Sequence, residues 1–158
     1  MEGNRILGYG IGDNPSNIFP MPIAYHIILL TYNGEPLFTS AGNCNNFAYL
    51  IFETIVLHKY NLFAFCIMPD HAHILCQPGN LLVGDFINLL RFRFEYIMCK
   101  GGCTGPIWQA DFKEYRLQDE EVKEATTFIF ENPVRNGLVS NAMDYPYSYV
   151  YGSKEYRP

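Results

Sequence analysis

The sequence lacks any long hydrophobic run. Its longest apolar stretch, residues 62–68, is far shorter than the roughly 20 residues that a membrane-spanning helix needs. It also lacks a Gly/Ser tract or charge run that would mark a linker. The N-terminal stretch has no basic-then-apolar order of a secretory signal. We therefore expect a cytoplasmic protein with a flexible leader at residues 1–20 and a single domain at residues 21–158.

Basic residues are in the minority. Eleven Lys and Arg against 16 Asp and Glu give a net charge of −5. Nucleic-acid-binding domains usually carry a basic surface, so the overall balance counts against that class. The distribution of charge matters more than its sum, however, and many acids crowd into residues 117–124. Four arginines remain as candidates for a DNA-binding face: Arg91, Arg93, Arg116 and Arg135.

The five cysteines form no disulfide or zinc framework. An odd number without a secretory signal indicates reduced thiols in a cytosol. Cys99 and Cys103 flank the turn-like "KGG", but no second pair has the spacing of zinc ligands. Zinc binding is therefore the weaker interpretation of this pair.

Strand-like and helix-like segments follow one another along the chain. Residues 24–32, 61–69 and 71–77 are predicted strands, and the last two form a hairpin. Helices are predicted at 46–60, capped by Asn45 or Asn46, and at 82–100. A strand follows at 107–117 and a helix at 119–131, ended by Asn132-Pro133. This order predicts an α+β fold, an antiparallel sheet with its helices packed on one face.

Two histidines stand one residue apart in "MPDHAHIL". On a strand, His71 and His73 share a face about 6.6–7 Å apart at the backbone, so both rings can lean onto one cation. Without further context, two exposed or hydrogen-bonded histidines are the more common case. A third ligand would come from a side chain with an oxygen donor: Asp111, Glu114, Glu124 or Asn132. Imidazole and oxygen ligands suit a divalent ion that polarises a phosphate or carbonyl oxygen.

Three stretches carry a family resemblance: "MPDHAHIL", "IWQADFKEYRL" and "FIFENPVRNGLV". Their order and intervals resemble the HUH-type single-tyrosine transposases of the insertion-sequence-200 kind, and most closely the REP-associated tyrosine transposases. The resemblance covers roughly residues 20–151. It implies a ferredoxin-like sheet, a homodimer and single-stranded or hairpin DNA as partner. It also implies Mg²⁺ or Mn²⁺ bound by His71 and His73, with Asn132 at the position of the third ligand.

The implied reaction is cleavage and strand transfer of single-stranded DNA through a phosphotyrosine intermediate. The position of the attacking tyrosine is Phe128, which has no hydroxyl. Helical spacing places Phe128 on one face with Asn132, although a core phenylalanine fits the pattern equally well.

Several explanations of Phe128 stay open. The chain is a catalytically inactive or repurposed hairpin-binding protein, or it uses another tyrosine, first Tyr115 and then Tyr96. A Tyr-to-Phe substitution made to trap substrate is a third explanation. Hydrolysis, in which water replaces the tyrosine, is a weaker alternative for the reaction itself.

Overall fold

Five strands form one sheet in the computed structural model, which describes residues 24–156. The predicted leader at residues 1–20 lies outside the described residues. The strands are β1 (Ala24–Leu30), β2 (Asn61–Ile67), β3 (His71–Gln77), β4 (Lys113–Leu117) and β5 (Ser148–Val150). The α-helices of the described range are α1 (Ala41–Leu57), α2 (Val83–Lys100) and α3 (Asp119–Arg135).

The strand order is β4-β1-β3-β2-β5, and each neighbouring pair is antiparallel. Strands β1 to β4, with α1 and α2 as connections, form the ferredoxin-like arrangement, and β5 extends the sheet beside β2. The predicted α+β class, the antiparallel sheet and the β2–β3 hairpin are therefore confirmed.

The helices lie on both faces of the sheet, which corrects the expectation that all would pack on one. Helices α1 and α2 cover a cluster that includes Ile27 and Ile74. Helix α3 packs on the opposite face, where Ile129 meets Cys66 and Leu75. The physical reason is that β2 and β3 are buried on both faces, and the nearly unbroken apolar run of β2 requires cover on each side.

Helices α1 and α3 differ from the sequence prediction in their ends, and α1 stops at Leu57 rather than at residue 60. Helix α1 begins after Ser40, whose side chain accepts a hydrogen bond from the Asn43 backbone, so Asn45 and Asn46 are not its cap. Helix α3 continues through Pro133 to Arg135. A proline in the last turn removes a single backbone hydrogen bond, and its fixed φ suits a helix. The chain turns at Gly137, which has a positive φ of 70°.

Of the segment predicted as a strand at 107–117, only Lys113–Leu117 forms a strand of the sheet. Upstream of it, Trp108 forms an isolated bridge with Thr31 and enters the core under α1 and α2.

All five cysteines are free thiols. No helix between residues 24 and 156 has the length and apolar character to cross a membrane.

Candidate functional site

Three histidines gather on the face of the sheet that α3 covers. His71 and His73 extend from β3, and His26 extends from the neighbouring strand β1. The β1–β3 register pairs Ile28 with His73, which makes His26 and His73 diagonal neighbours on one face. Asn132 approaches the same rings from α3 and is buried with them. The predicted trio of His71, His73 and Asn132 is thus brought together.

The imidazoles form a continuous chain of short contacts. Nδ1 of His71 lies 2.6 Å from a carboxylate oxygen of Asp70, and Nε2 of His71 lies 3.1 Å from Nε2 of His73. On its other side, Nδ1 of His73 lies 2.9 Å from Nε2 of His26. Nδ2 of Asn132 lies 3.2 Å from Nε2 of His73. Nε2 of His73 is therefore the point on which the cluster converges.

The hydrogen-bond partners determine where the protons lie. Asn136 donates from Nδ2 to Oδ1 of Asn132 at 2.9 Å, so the amide nitrogen of Asn132 faces His73 and donates to its Nε2. Asp70 accepts a hydrogen bond from Nδ1–H of His71. In neutral His71, Nε2 then carries a lone pair that faces the lone pair of His73. Two facing lone pairs at 3.1 Å repel unless a proton or a cation lies between them.

The paired nitrogens fit a divalent cation. Two ligands at right angles around an ion, each about 2.1 Å away, are about 3.0 Å apart, close to the observed 3.1 Å. Asn132 would have to turn its amide over to offer an oxygen, because Oδ1 now accepts from Asn136. Within residues 24–156 no three His, Cys, Asp or Glu side chains are grouped to hold a metal ion. Further ligands would be the Asn132 oxygen, water or substrate oxygens.

Burial keeps two of the imidazoles neutral. It lowers the pKa of His26 to about 4. Burial is also the largest cause lowering the pKa of His73 to about 3, followed by the nearby charges of His71, His26 and Arg135. Neutral imidazole is the form that binds metal ions, so Nε2 of His73 is available as a ligand at neutral pH.

Phe128 lies at the edge of this cluster rather than in the core. Its ring centroid is 6.0 Å from those of His26 and His73, and the residue is 45% exposed. The guanidinium of Arg135 lies 4.3 Å from the ring centroid and donates to the Phe128 carbonyl. Helical spacing had left a core position and a site position equally open, and the structure places Phe128 at the site.

Tyr115 reaches the same site from a different element. It lies on β4 opposite His26 of β1, and the two ring centroids are 5.8 Å apart. Half of the residue is exposed. The alternative nucleophile predicted from the sequence therefore lies beside His26 and is half-exposed. Tyr96, the second alternative, is exposed on α2 across the sheet.

The four predicted DNA-binding arginines are not brought together. Only Arg135 lies beside the histidine cluster. Arg91 donates to the carbonyls of Gln109 and Ala110, and Arg93 pairs with a carboxylate of α1. Arg116 alternates with Tyr115 along β4 and so extends from the opposite face.

The remaining candidate ligands are separated from the site or exposed. Glu114 shares the Arg116 face and lies 3.5 Å from its guanidinium. Asp111 and Glu124 are exposed. Of the four oxygen-bearing candidates, Asn132 alone contacts His73.

Sequence reasoning missed His26, Asp70 and Asn136. Asp70 was visible as the residue before the histidine pair, and Asn136 follows Asn132 by one helical turn. His26 had one usable signal, a basic side chain within the apolar strand "AYHIILL". Its pairing with His73 depends on a sheet register that links residues 47 positions apart.

Comparison with known proteins identifies the family. The sequence model of the family described as "Transposase IS200 like" matches residues 21–129, more than half of the chain. A REP-associated tyrosine transposase assigned in Haemophilus influenzae is 30% identical over a 118-residue alignment. That alignment covers 66% of this chain and 66% of the relative, so the chain spans just under two thirds of the relative's length.

Two solved structures share the fold. One is a REP-associated tyrosine transposase bound to a REP hairpin, with a TM-score of 0.68 and 17% identity over 81% of this chain and 76% of that one. The other is a candidate transposase from Deinococcus radiodurans, with a TM-score of 0.53 and 16% identity over 84% of this chain and 97% of that one. The family match over residues 21–129 decides the assignment: the chain belongs to the IS200-like transposase family.

Proposed function

We propose that this protein binds hairpin DNA and cleaves it beside a divalent cation held by His71 and His73, with Tyr115 as the attacking group. The observation that carries the proposal is the pair of Nε2 atoms 3.1 Å apart. Half-exposed Tyr115 packs on His26, the neighbour of His73 on its other side. The paired nitrogens favour a cation, and Tyr115 supplies a nucleophile on the same face of the sheet.

The DNA partner is supported by the likeness to a transposase bound to a REP hairpin. Arg135 is the predicted arginine that lies at the candidate site and would contact the phosphate backbone there. The net charge of −5 means that a local surface, not the whole protein, attracts DNA.

Each side chain of the site has a role in the proposed reaction. His71 and His73 would hold the cation, and Asn132 would complete the set by turning its amide over. A bound divalent cation withdraws charge from the phosphate oxygens and makes phosphorus easier to attack. Asp70 orients His71 by accepting a hydrogen bond from its Nδ1–H, which leaves Nε2 free as a ligand.

The bond changes balance without an external energy source. The Tyr115 oxygen forms a bond to phosphorus as the bond from phosphorus to the 3′ oxygen breaks. The phenol proton is lost to solvent, and the 3′ oxygen gains one, which leaves a free 3′-hydroxyl and a 5′-phosphotyrosine link. Attack by a 3′-hydroxyl on this link reverses the steps and joins strands.

A second candidate function is hairpin binding without chemistry. It is favoured by Phe128, because the position expected to carry the attacking hydroxyl holds a phenyl ring covered by Arg135. Under this alternative Tyr115 only lines the DNA surface. Replacing Phe128 by tyrosine would then create the missing nucleophile.

The test uses end-labelled hairpin DNA with Mn²⁺, followed by separation under denaturing conditions. We expect a covalent protein–DNA adduct that disappears in Tyr115→Phe and persists in the matched control Tyr96→Phe, which alters an exposed tyrosine of α2. His71→Ala is expected to abolish cleavage while hairpin binding in EDTA persists.

The other outcomes each reject part of the proposal. Binding without cleavage, with an adduct gained in Phe128→Tyr, establishes the second candidate function. Cleavage without an adduct assigns the attack to water. An adduct that survives in Tyr115→Phe moves the nucleophile elsewhere, and normal cleavage by His71→Ala refutes the cation site.

A further inference from the structure

We infer that His26 is a positioning residue: it holds His73 in the tautomer whose Nε2 is free to bind the cation. This inference rests on the proposed function, because the cation is part of that proposal. In the cation-free protein Asn132 also favours this tautomer, and His26 keeps it when the Asn132 amide turns over to bind the cation. His26 does not itself face the cation position, since its contact is with Nδ1 of His73.

The direction of the hydrogen bond follows from its neighbours. A contact between two imidazole nitrogens at 2.9 Å requires one donor and one acceptor. Nδ2 of Asn132 is an amide nitrogen that can only donate hydrogen bonds, so Nε2 of His73 must accept one from it. The proton of neutral His73 is therefore on Nδ1, and Nε2 of His26 accepts it.

Asn136 makes this assignment secure. It donates from Nδ2 to both the backbone oxygen and Oδ1 of Asn132, each at 2.9 Å. These two bonds fix which end of the Asn132 amide faces His73 in the cation-free protein. When the Asn132 amide turns over to bind a cation, His26 is the partner that still holds the His73 proton on Nδ1.

The two candidate ligands are thus oriented by different partners. His71 is held by a carboxylate from the preceding residue, Asp70, whereas His73 is held by a neutral imidazole from another strand. Outer partners of this kind fix the tautomer and ring orientation of a metal ligand, and their loss typically costs 10–100-fold in metal affinity. His26 is the partner that the β1–β3 pairing supplies.

A purely space-filling role is the competing explanation of His26. The residue is buried at 7% exposure, and its ring also approaches Tyr115 and Phe128. If it only filled space, an apolar side chain of similar size would replace it without changing the protonation of His73. The tautomer of His73 is therefore the property that separates the two explanations.

The experiment measures that tautomer directly in metal-free protein. Histidine ¹⁵N shifts and long-range ¹H–¹⁵N correlations at neutral pH are expected to show His73 protonated at Nδ1. His26→Gln keeps an acceptor near the position of Nε2 and should preserve this pattern. His26→Leu removes the acceptor of the Nδ1 proton while the Asn132 donor remains, so an Nε2–H population should appear beside the Nδ1–H form.

Mn²⁺ titration provides the second readout. We expect affinity to fall by about 10–100-fold in His26→Leu and by a few-fold at most in His26→Gln. His58→Leu is the matched control, because His58 is outside the site and its buried Nε2 has no hydrogen-bond partner in the described structure. It should bind Mn²⁺ as wild type does.

The inference would be overturned if His73 were protonated at Nε2 in the wild type, or if Mn²⁺ affinity were unchanged in folded His26→Leu. If the wild type binds no Mn²⁺, the proposed function fails, but the His73 tautomer measured in the wild type and in His26→Gln still tests the inference. The same two measurements test it if His26→Leu does not fold. Loss of the Nδ1–H pattern in folded His26→Gln also contradicts it.

Discussion

Mild acid should destabilise this protein through two buried histidines. In the folded state burial lowers the pKa of His26 to about 4 and that of His73 to about 3, against 6.5 for an exposed histidine. As the pH falls below 6.5, both histidines bind protons in the unfolded chain but stay neutral in the folded protein. The stabilisation by both groups is thus present above pH 6.5 and is lost progressively down to their folded pKa values.

The magnitude follows from the difference in proton binding. A histidine that stays neutral in the folded protein but has a pKa of 6.5 in the unfolded chain lowers the free energy of unfolding at pH 5.0 by about 2 kcal/mol. At pH 7.5 the same histidine lowers it by less than about 0.1 kcal/mol. His26 and His73 together should therefore reduce the free energy of unfolding by about 4 kcal/mol between these pH values. This is a large part of the 5–15 kcal/mol typical of a domain.

The assay is urea denaturation in EDTA at both pH values, for wild type and for His26→Gln. The variant has one buried histidine fewer, so its loss of stability between pH 7.5 and 5.0 should be smaller by about 2 kcal/mol. Comparing the two losses cancels the groups that both proteins share. Equal losses would refute the claim that His26 is held neutral in the folded protein.

Three substitutions test the fold more simply by urea denaturation. Gly79→Ala should destabilise by about 1–3 kcal/mol or more, because its Cβ would lie 2.0 Å from the His58 carbonyl oxygen; wild-type stability would contradict that close approach. Ser40→Ala should cost about 1 kcal/mol by removing the cap on Asn43; no change would reject Ser40 as the cap. Gly137→Ala should cost about 1–2 kcal/mol because φ is +70°; an unchanged midpoint would argue against this turn.

The elements of the fold were predictable because each leaves a local pattern. The order of strands and helices along the chain followed from segment types, and the turn at Pro69-Asp70 marked the hairpin. The side on which α3 packs was not predictable, since β2, on which α3 packs, is apolar on both faces. The end of α3 was misjudged because Pro133 lies in a last turn that tolerates it.

The candidate site was predictable only where its members are close in sequence or share a helix face. His71 and His73 follow from strand alternation, and Asn132 from the helical spacing shared with Phe128. His26 could not be placed, because the β1–β3 register that brings it to His73 is set by long-range pairing.

The positions of the arginines were not predictable for a related reason. Arg91 and Arg93 are engaged by groups on the opposite side of the sheet from His73. These partners depend on the tertiary packing of α1, α2 and the 107–112 segment. Arg135 lies beside the site because α3 continues through Pro133, whereas the sequence prediction ended this helix at Asn132-Pro133.

The central claim is that the paired imidazoles share one cation, and anomalous diffraction from Mn²⁺-soaked crystals tests it most directly. The account predicts a single strong peak about 2.2 Å from Nε2 of both His71 and His73, with the Asn132 amide turned to present Oδ1. A peak elsewhere, or none while the two Nε2 atoms keep their 3.1 Å contact, would contradict it.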